Sequence, residues 1–194
     1  MLGCRPLSEA EVVATLAAFS GRFAVRNKCL FTLGCKTGFR IAEILSIRVK
    51  DVVQNDGIVD RILVSAKHMK GKERSRTVLL HPDVKIAISA WITDLHRMRP
   101  PNPDCFLFPS QIGVNRSLSR SQVAKVLKDC FQPNGIGGKL GTHCMRKTFA
   151  NRVYELLDHD LPKTQRAMGH TNINSTIKYL SFREEDIDAA ILAL

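Results

Sequence analysis

Six side chains of types that can break and remake a phosphodiester stand in a fixed order along this chain: Arg40 in TGFRIAEIL, Lys70 in HMKGKER, His143 and Arg146 in THCMRKTFA, His170 in MGH, and Tyr179 in TIKYL. A tyrosine hydroxyl ionises near pH ~10, so at neutral pH Tyr179 needs neighbours that handle its proton and hold negative charge. Arginine suits the second task. A guanidinium stays charged at any working pH and offers parallel N–H donors to the non-bridging oxygens of a phosphate. Arg40 and Arg146 together could clamp one phosphate under attack. None of the six is diagnostic by itself. With 29 basic residues in the chain, a lone arginine is usually a solvated charge, a lone histidine a helix cap, and a lone tyrosine part of an amphipathic surface.

The elements that must position these groups can be read from spacing. His143 and Arg146 are three apart, which on a helix sets them on one face about one turn along. Between His170 and Tyr179, the residues Asn172, Asn174 and Ser175 interrupt helical patterning; a turn and a second short helix are expected there, with the tyrosine on a separate, movable element. TGFR closes an apolar run with a glycine turn, and Glu43 follows within a helical turn. Arg40 is therefore expected at a helix start facing Glu43, in competition with a purely structural Arg–Glu pair. Lys67, Lys70 and Lys72 share a turn between strand-like runs at 62–66 and 77–80.

The remaining pattern is mostly helical. Ser8 and Glu11 form a capping box ahead of an apolar face at Val12, Val13, Leu16 and Phe19. Helices follow over about 22–35 and about 40–47. The β-branched Ile62, Val64, Thr77 and Val78 suggest a hairpin or a three-stranded sheet around Gly57 and Lys70. Pro82 suits the first turn of a helix carrying Ile86, Ile88 and Trp91. Prolines 100, 101 and 103 mark a loop, Ser119 opens a helix ending near Phe131, and Pro133, Gly135, Gly137 and Gly138 make a flexible connector before the His143 helix. The fold class expected is α+β, mostly α-helical, with a small antiparallel three-stranded sheet.

These motifs together resemble the catalytic domain of the tyrosine recombinase (phage integrase) family. The resemblance runs from RPLSEAEV to SFREEDI and includes RNKCLFTLGCKTGFRIAEILSIRVKDV, ILVSAKHMKGKERSRTVLLHP, DCFLFPS and GTHCMRKTFA followed by MGHTNINSTIKYL. Met145 and Met168 stand where the family usually has leucine, and methionine packs as an unbranched apolar substitute. The resemblance implies that Tyr179 attacks a DNA phosphate to give a 3′-phosphotyrosine and a free 5′-hydroxyl, with no ATP, metal or other cofactor. Arg40, Arg146 and His170 would stabilise charge and His143 would assist proton transfer. One lysine would protonate the leaving 5′ oxygen: Lys70 is preferred, with Lys72 and Lys67 as alternatives. Lys67, Lys72, Arg74, Arg76 and Lys147 are expected to contact DNA. Double-stranded DNA is the implied partner, bound by a homotetramer, with accessory DNA-bending proteins. Residues 1–181 would form the catalytic domain and 182–194 an acidic amphipathic helix. Its stripe of Ile187, Ala190, Ile191 and Leu194 would pack on its own core or dock in trans. The N-terminal core-binding domain of longer members is expected to be absent, as in short members such as fimbrial-type invertases or in a truncated integrase.

Composition agrees with a polyanionic partner. The net charge is +11, and the stretch from Arg183 onward carries −3, leaving +14 on residues 1–182. A length of 194 residues with 44% apolar content supports one ordinary core. No apolar run approaches the ~18 residues of a membrane span and no secretory signal opens the chain, so a cytoplasmic protein is expected. Cys4, Cys29, Cys35, Cys105, Cys130 and Cys144 form neither a CxxC pair nor a metal-ligand spacing and read as reduced, mostly buried thiols. Two other activity classes fit part of the pattern. A type IB topoisomerase would relax supercoils without synapsis of sites, and a noncatalytic DNA-binding protein would form no covalent adduct.

Overall fold

The computed structural model describes residues 4–55, 57–64, 75–100, 102–181, 188 and 191–193. The chain divides into two compact units, Met1–Phe149 and Ala150–Leu194, a division inside the span 1–181 that the sequence suggests as one domain.

In the first unit, α1 (Glu9–Ala18) begins at the expected capping box. Ser8 Oγ accepts from the Glu11 backbone N–H, and the Glu11 carboxylate accepts from the Ser8 N–H. The predicted apolar face is only partly buried: Phe19 is inside, whereas Val13 is exposed. The helix α2 (Ala24–Thr37) is the spine of the core, with Cys29, Leu30, Phe31, Thr32, Leu33, Gly34 and Cys35 all buried. Such all-round burial requires neighbours on several sides, and α2 packs against α1, α3 (Ile41–Ser46) and α4 (Pro82–Met98). Pro82 sits in the first turn of α4, where a missing N–H costs nothing. On α4, Val84, Ile88, Trp91 and Leu95 are buried, and the Trp91 indole N–H donates to the Leu107 carbonyl at 2.6 Å. Ile86 points outward instead. The last long helix before the connector, α5 (Arg120–Phe131), opens with a second capping box, Ser119 with Gln122.

The sheet differs from expectation. Among the described residues there are two antiparallel two-stranded ladders, not one three-stranded sheet: β1 (Val53–Gln54) with β2 (Gly57–Ile58), and β3 (Arg61–Val64) with β4 (Arg76–Leu79). Asp60 lies between β2 and β3, and its carbonyl accepts from the Leu80 N–H rather than continuing the first ladder. In the second ladder Ile62 faces Val78. Ile62 is buried, whereas Leu63 and Leu79 face outward. Lys67, Lys70, Lys72 and Arg74 lie outside the described residues, as do Ile187, Ala190 and Leu194 of the expected C-terminal stripe.

An N-terminal strap holds the connector ahead of α6 (His143–Leu156). The Arg5 guanidinium donates to the Gly137 carbonyl and to both oxygens of Glu11, its backbone N–H donates to the Lys139 carbonyl, and the Leu7 N–H donates to Thr148 Oγ1 at 2.8 Å. Hydrogen bonding from Arg5 is the main reason that the Glu11 carboxyl is lowered to about 2. Cysteines 29, 35, 130 and 144 are buried and none is in a disulfide. Burial pushes the Cys144 thiol up to about 12, which makes it unreactive at neutral pH.

In the second unit, α7 (Leu161–Met168) packs on α8 (Ile173–Ile177). Asp160 caps α7 at its start through the Lys163 N–H, and Gly169 at φ +63° ends it in the left-handed conformation. The short α8 is the helix expected between His170 and Tyr179. Of the proposed C-terminal helix, Asp188, Ile191 and Leu192 are described and are helical.

Two outcomes follow. Gly38 has φ +63°, and a Cβ placed there would lie 2.4 Å from the Phe149 ring. Gly38→Ala is therefore expected to lower the unfolding free energy by about 2–4 kcal/mol, combining left-handed strain and overpacking, as measured by urea titration. Because the Glu11 carboxyl is held below its ordinary value of 4.5, its contribution is fully present above that pH and is lost as pH falls toward about 2. Glu11→Gln should flatten this acid limb in a pH series of melting temperatures.

Candidate active site

Glu43 is the buried anion around which the first unit's arginines gather. It sits in the first turn of α3 with only 2% of its surface exposed. A carboxylate so covered is tolerable only when paired and hydrogen-bonded. The backbone N–H of Arg40, the residue that starts α3, donates to Glu43 Oε2 at 2.6 Å, and Arg40 Nη1 lies 3.3 Å from Oε1. Arg76 Nη2 is 3.7 Å from Oε2 and Arg146 Nη1 4.0 Å from the same oxygen. Three positive side chains thus share one negative charge.

The three differ in access. Arg146 is 1% exposed, and its Nη1 also donates to the Gly38 carbonyl, so the glycine turn expected from TGFR fixes this guanidinium from below. Arg76, expected at the DNA surface, is turned inward. Its side chain is 15% exposed and its guanidinium lies 5.3 Å from the centre of the Phe39 ring. The cause is strand alternation: Arg76 and Val78 share the more buried face of β4, while Thr77 and Leu79 face out. Arg40 keeps 36% of its side chain exposed and is the member of the group that meets solvent.

His143 opens α6 one turn before Arg146, as the three-residue spacing predicts. Its imidazole is held below the ordinary histidine value, first by partial burial and then by the positive charges of Arg146, Arg120, Arg40 and Lys147. It is therefore neutral at pH 7 and able to accept a proton. Arg120, the first residue of α5, was not among the sequence candidates. Lys147 is half-buried and acts on the same imidazole.

The second unit brings His170 and Tyr179 together. Their ring centres are 5.5 Å apart. His170 is buried, its Nδ1 is 2.9 Å from Thr176 Oγ1, and its carbonyl accepts from the Gln165 side-chain amide at 3.0 Å. Tyr179 follows α8, where its N–H donates to the Thr176 carbonyl at 2.8 Å. Asn151 clamps this segment from both sides of its amide: Nδ2 donates to the Tyr179 carbonyl and Oδ1 accepts from the Ser181 N–H, each at 2.9 Å. Nothing in the sequence marked Thr176 or Asn151, because both act on backbone or ring nitrogens that only the folded chain brings near. Among the described residues no group of three His, Cys, Asp or Glu side chains is placed to hold a metal, and no helix is long and apolar enough to cross a membrane.

A model of the phage integrase family matches residues 6–185. The chain belongs to this family, the tyrosine recombinases. It is 26% identical to the probable integrase/recombinase YoeC of Bacillus subtilis, over 96% of this chain and 94% of that protein. It is also 26% identical to the tyrosine recombinase XerH of Helicobacter pylori over 88% of this chain, but spans 45% of that protein. The type 1 fimbriae regulatory protein FimE of Escherichia coli is 26% identical over 90% of this chain and 84% of its own length. Among solved structures, the XerH site-specific recombinase bound to palindromic difH substrate in a post-cleavage complex superposes with a TM-score of 0.75 at 26% identity, covering 96% of this chain and 51% of that one. The chain therefore spans about half the length of the Xer-type relatives, and the fold is that of an integrase catalytic domain, α+β and mostly helical.

The cationic neighbours of His143 yield an outcome that can be read without DNA. Its Cε1 proton resonance should titrate below the ordinary 6.5, and Arg120→Ala should move the midpoint upward, since one repelling charge is removed. A midpoint that does not move would remove Arg120 from the set that tunes this histidine.

Proposed function

We propose that this chain is a site-specific DNA recombinase in which Tyr179 is the nucleophile and Arg40 and Arg146 hold the phosphate it attacks. The observation that carries the proposal is the pairing, in one chain, of an arginine cluster around a buried carboxylate with a tyrosine whose ring neighbours a buried histidine. Tyr179 Oη attacks phosphorus, a 3′-phosphotyrosine bond forms and the P–O5′ bond breaks. The 5′ oxygen leaves with a proton, in our reading from a lysine of the 65–74 segment, with Lys70 preferred. The phosphodiester energy is conserved in the new bond, so attack by the 5′-hydroxyl of a second duplex reverses the step and joins new strands. Neutral His143 accepts the proton that Tyr179 loses as its oxygen bonds to phosphorus and returns it when the step reverses, and His170, oriented by Thr176, donates to a non-bridging oxygen. Arg40 meets the phosphate first, being the exposed member of its group. Recombination of two duplexes calls for four protomers on double-stranded DNA, with the 182–194 segment as the exchanged element. The relatives include recombinases and integrases, and integration, excision and inversion are all outcomes of this one chemistry.

The test is covalent trapping. Wild type and Tyr179→Phe are incubated with source-genome DNA and denatured, and protein-linked fragments are sequenced at their ends. Adducts formed only by the wild type and gathered at a few positions are the expected result. Equal recovery from both proteins, or adducts scattered without preference, would overturn the assignment. At a mapped site, Arg40→Ala and Arg146→Ala are each expected to cut the single-turnover cleavage rate by about a hundredfold or more, while DNA affinity stays within about tenfold because many phosphate contacts remain.

A further inference from the structure

We propose that Arg76 is a positioning residue of the phosphate site: by sharing the Glu43 carboxylate, it leaves the Arg40 guanidinium available to an oxyanion that Arg76 itself does not touch. The proposal rests on the phosphate-clamp reading of Arg40 and goes beyond it by assigning a role to an inward-facing arginine that the six-residue set does not contain.

The charge balance shows why a third guanidinium matters. Glu43 faces Arg40 through Oε1 at 3.3 Å, while Arg76 and Arg146 both approach Oε2, at 3.7 and 4.0 Å. Three cations on one buried anion leave the cluster with a surplus of two positive charges. Without Arg76 the surplus falls to one and, with Oε2 still held by the Arg40 backbone N–H, more of the Glu43 charge falls on the Arg40 guanidinium. A tightened Arg40–Glu43 pair would compete with any incoming phosphate for the same N–H donors. Arg76 is placed for this work and not for contact with DNA. Its side chain is 85% covered, it is stacked near Phe39, and it lies on a β-strand whose partner strand carries the buried Ile62. Burial lowers its pKa while Glu43 raises it and Arg40 opposes it, which is the signature of a guanidinium held in place by the carboxylate and repelled by its neighbour.

Two properties of Arg76 could matter, its charge or its planar fork. The Nη2 to Oε2 separation of 3.7 Å is that of a charge contact, and it is this charge that the proposal uses. A lysine should therefore serve.

The test uses inorganic phosphate as the probe, so no knowledge of a DNA site is needed. Binding to the full chain is followed by 31P NMR at low ionic strength for wild type, Arg76→Ala, Arg76→Lys, Arg40→Ala and Arg97→Ala, with melting temperatures recorded for each. Arg97 is an exposed arginine on α4 that controls for the loss of one net charge. Arg76→Ala is expected to weaken phosphate binding about tenfold, Arg76→Lys to stay within about threefold of wild type, and Arg97→Ala to change little. Unchanged affinity in Arg76→Ala would overturn the proposal, as would a folded Arg76→Lys protein as weak as Arg76→Ala. Arg40→Ala tests the underlying clamp separately. If it binds phosphate as wild type does, the clamp reading fails; if it loses binding while Arg76→Ala does not, only the role of Arg76 fails.

Discussion

A single buried carboxylate, Glu43, is the constraint on which the first unit's chemistry depends. Burying one charge beside three opposite ones is costly unless geometry holds them, and the surrounding chain is arranged to provide it. The left-handed turn at Gly38 ends α2, presents its carbonyl to Arg146 and delivers Arg40 to the start of α3. Phe39 enters the core between them. Close approach of α6 to α2 is possible because Gly34 has no side chain: a Cβ there would sit 2.6 Å from the Met145 sulfur. The two glycines of LGCKTG thus let α2 and the turn that ends it lie close to the start of α6, which carries Arg146.

The second unit solves a different problem, how to hold Tyr179 on a short element. A five-residue helix has little stability of its own. Its flanks supply it: the Asn172 side chain accepts from the Asn174 N–H at the start, Thr176 joins it to His170, and Asn151 fixes the chain just after Tyr179. These are hydrogen bonds to main chain and to one ring nitrogen, those of Asn172 and Ser181 exposed and that of His170 buried.

Much of this was legible in the sequence. The capping box at Ser8, the helix opened by Ser119, Pro82 at a helix start and the glycine turn of TGFR all announce themselves through local chemistry. The helices they mark lie within a few residues of where spacing puts them. The placement of His143 and Arg146 a turn apart on one helix was legible too, because that spacing is local. What was not legible depends on partners distant in sequence. The split of the sheet into two ladders follows from where Asp60 bends the chain. The inward turn of Arg76 had a signal, its shared face with Val78, but an arginine in a basic segment is read as a surface charge until the buried Glu43 is known to lie opposite. Arg120, Thr176 and Asn151 carry no motif at all.

The most direct test of this account is a double-mutant cycle between Glu43→Gln and Arg146→Lys, read as the single-turnover rate of Tyr179 adduct formation at a mapped site, with folding checked for each variant. If Glu43 acts by holding the arginines, the two losses overlap in part, and Glu43→Gln costs clearly less in the Arg146→Lys background than alone, the remainder being its hold on Arg40. Fully additive losses would contradict the account, because they would mean that the carboxylate and the arginine contribute independently.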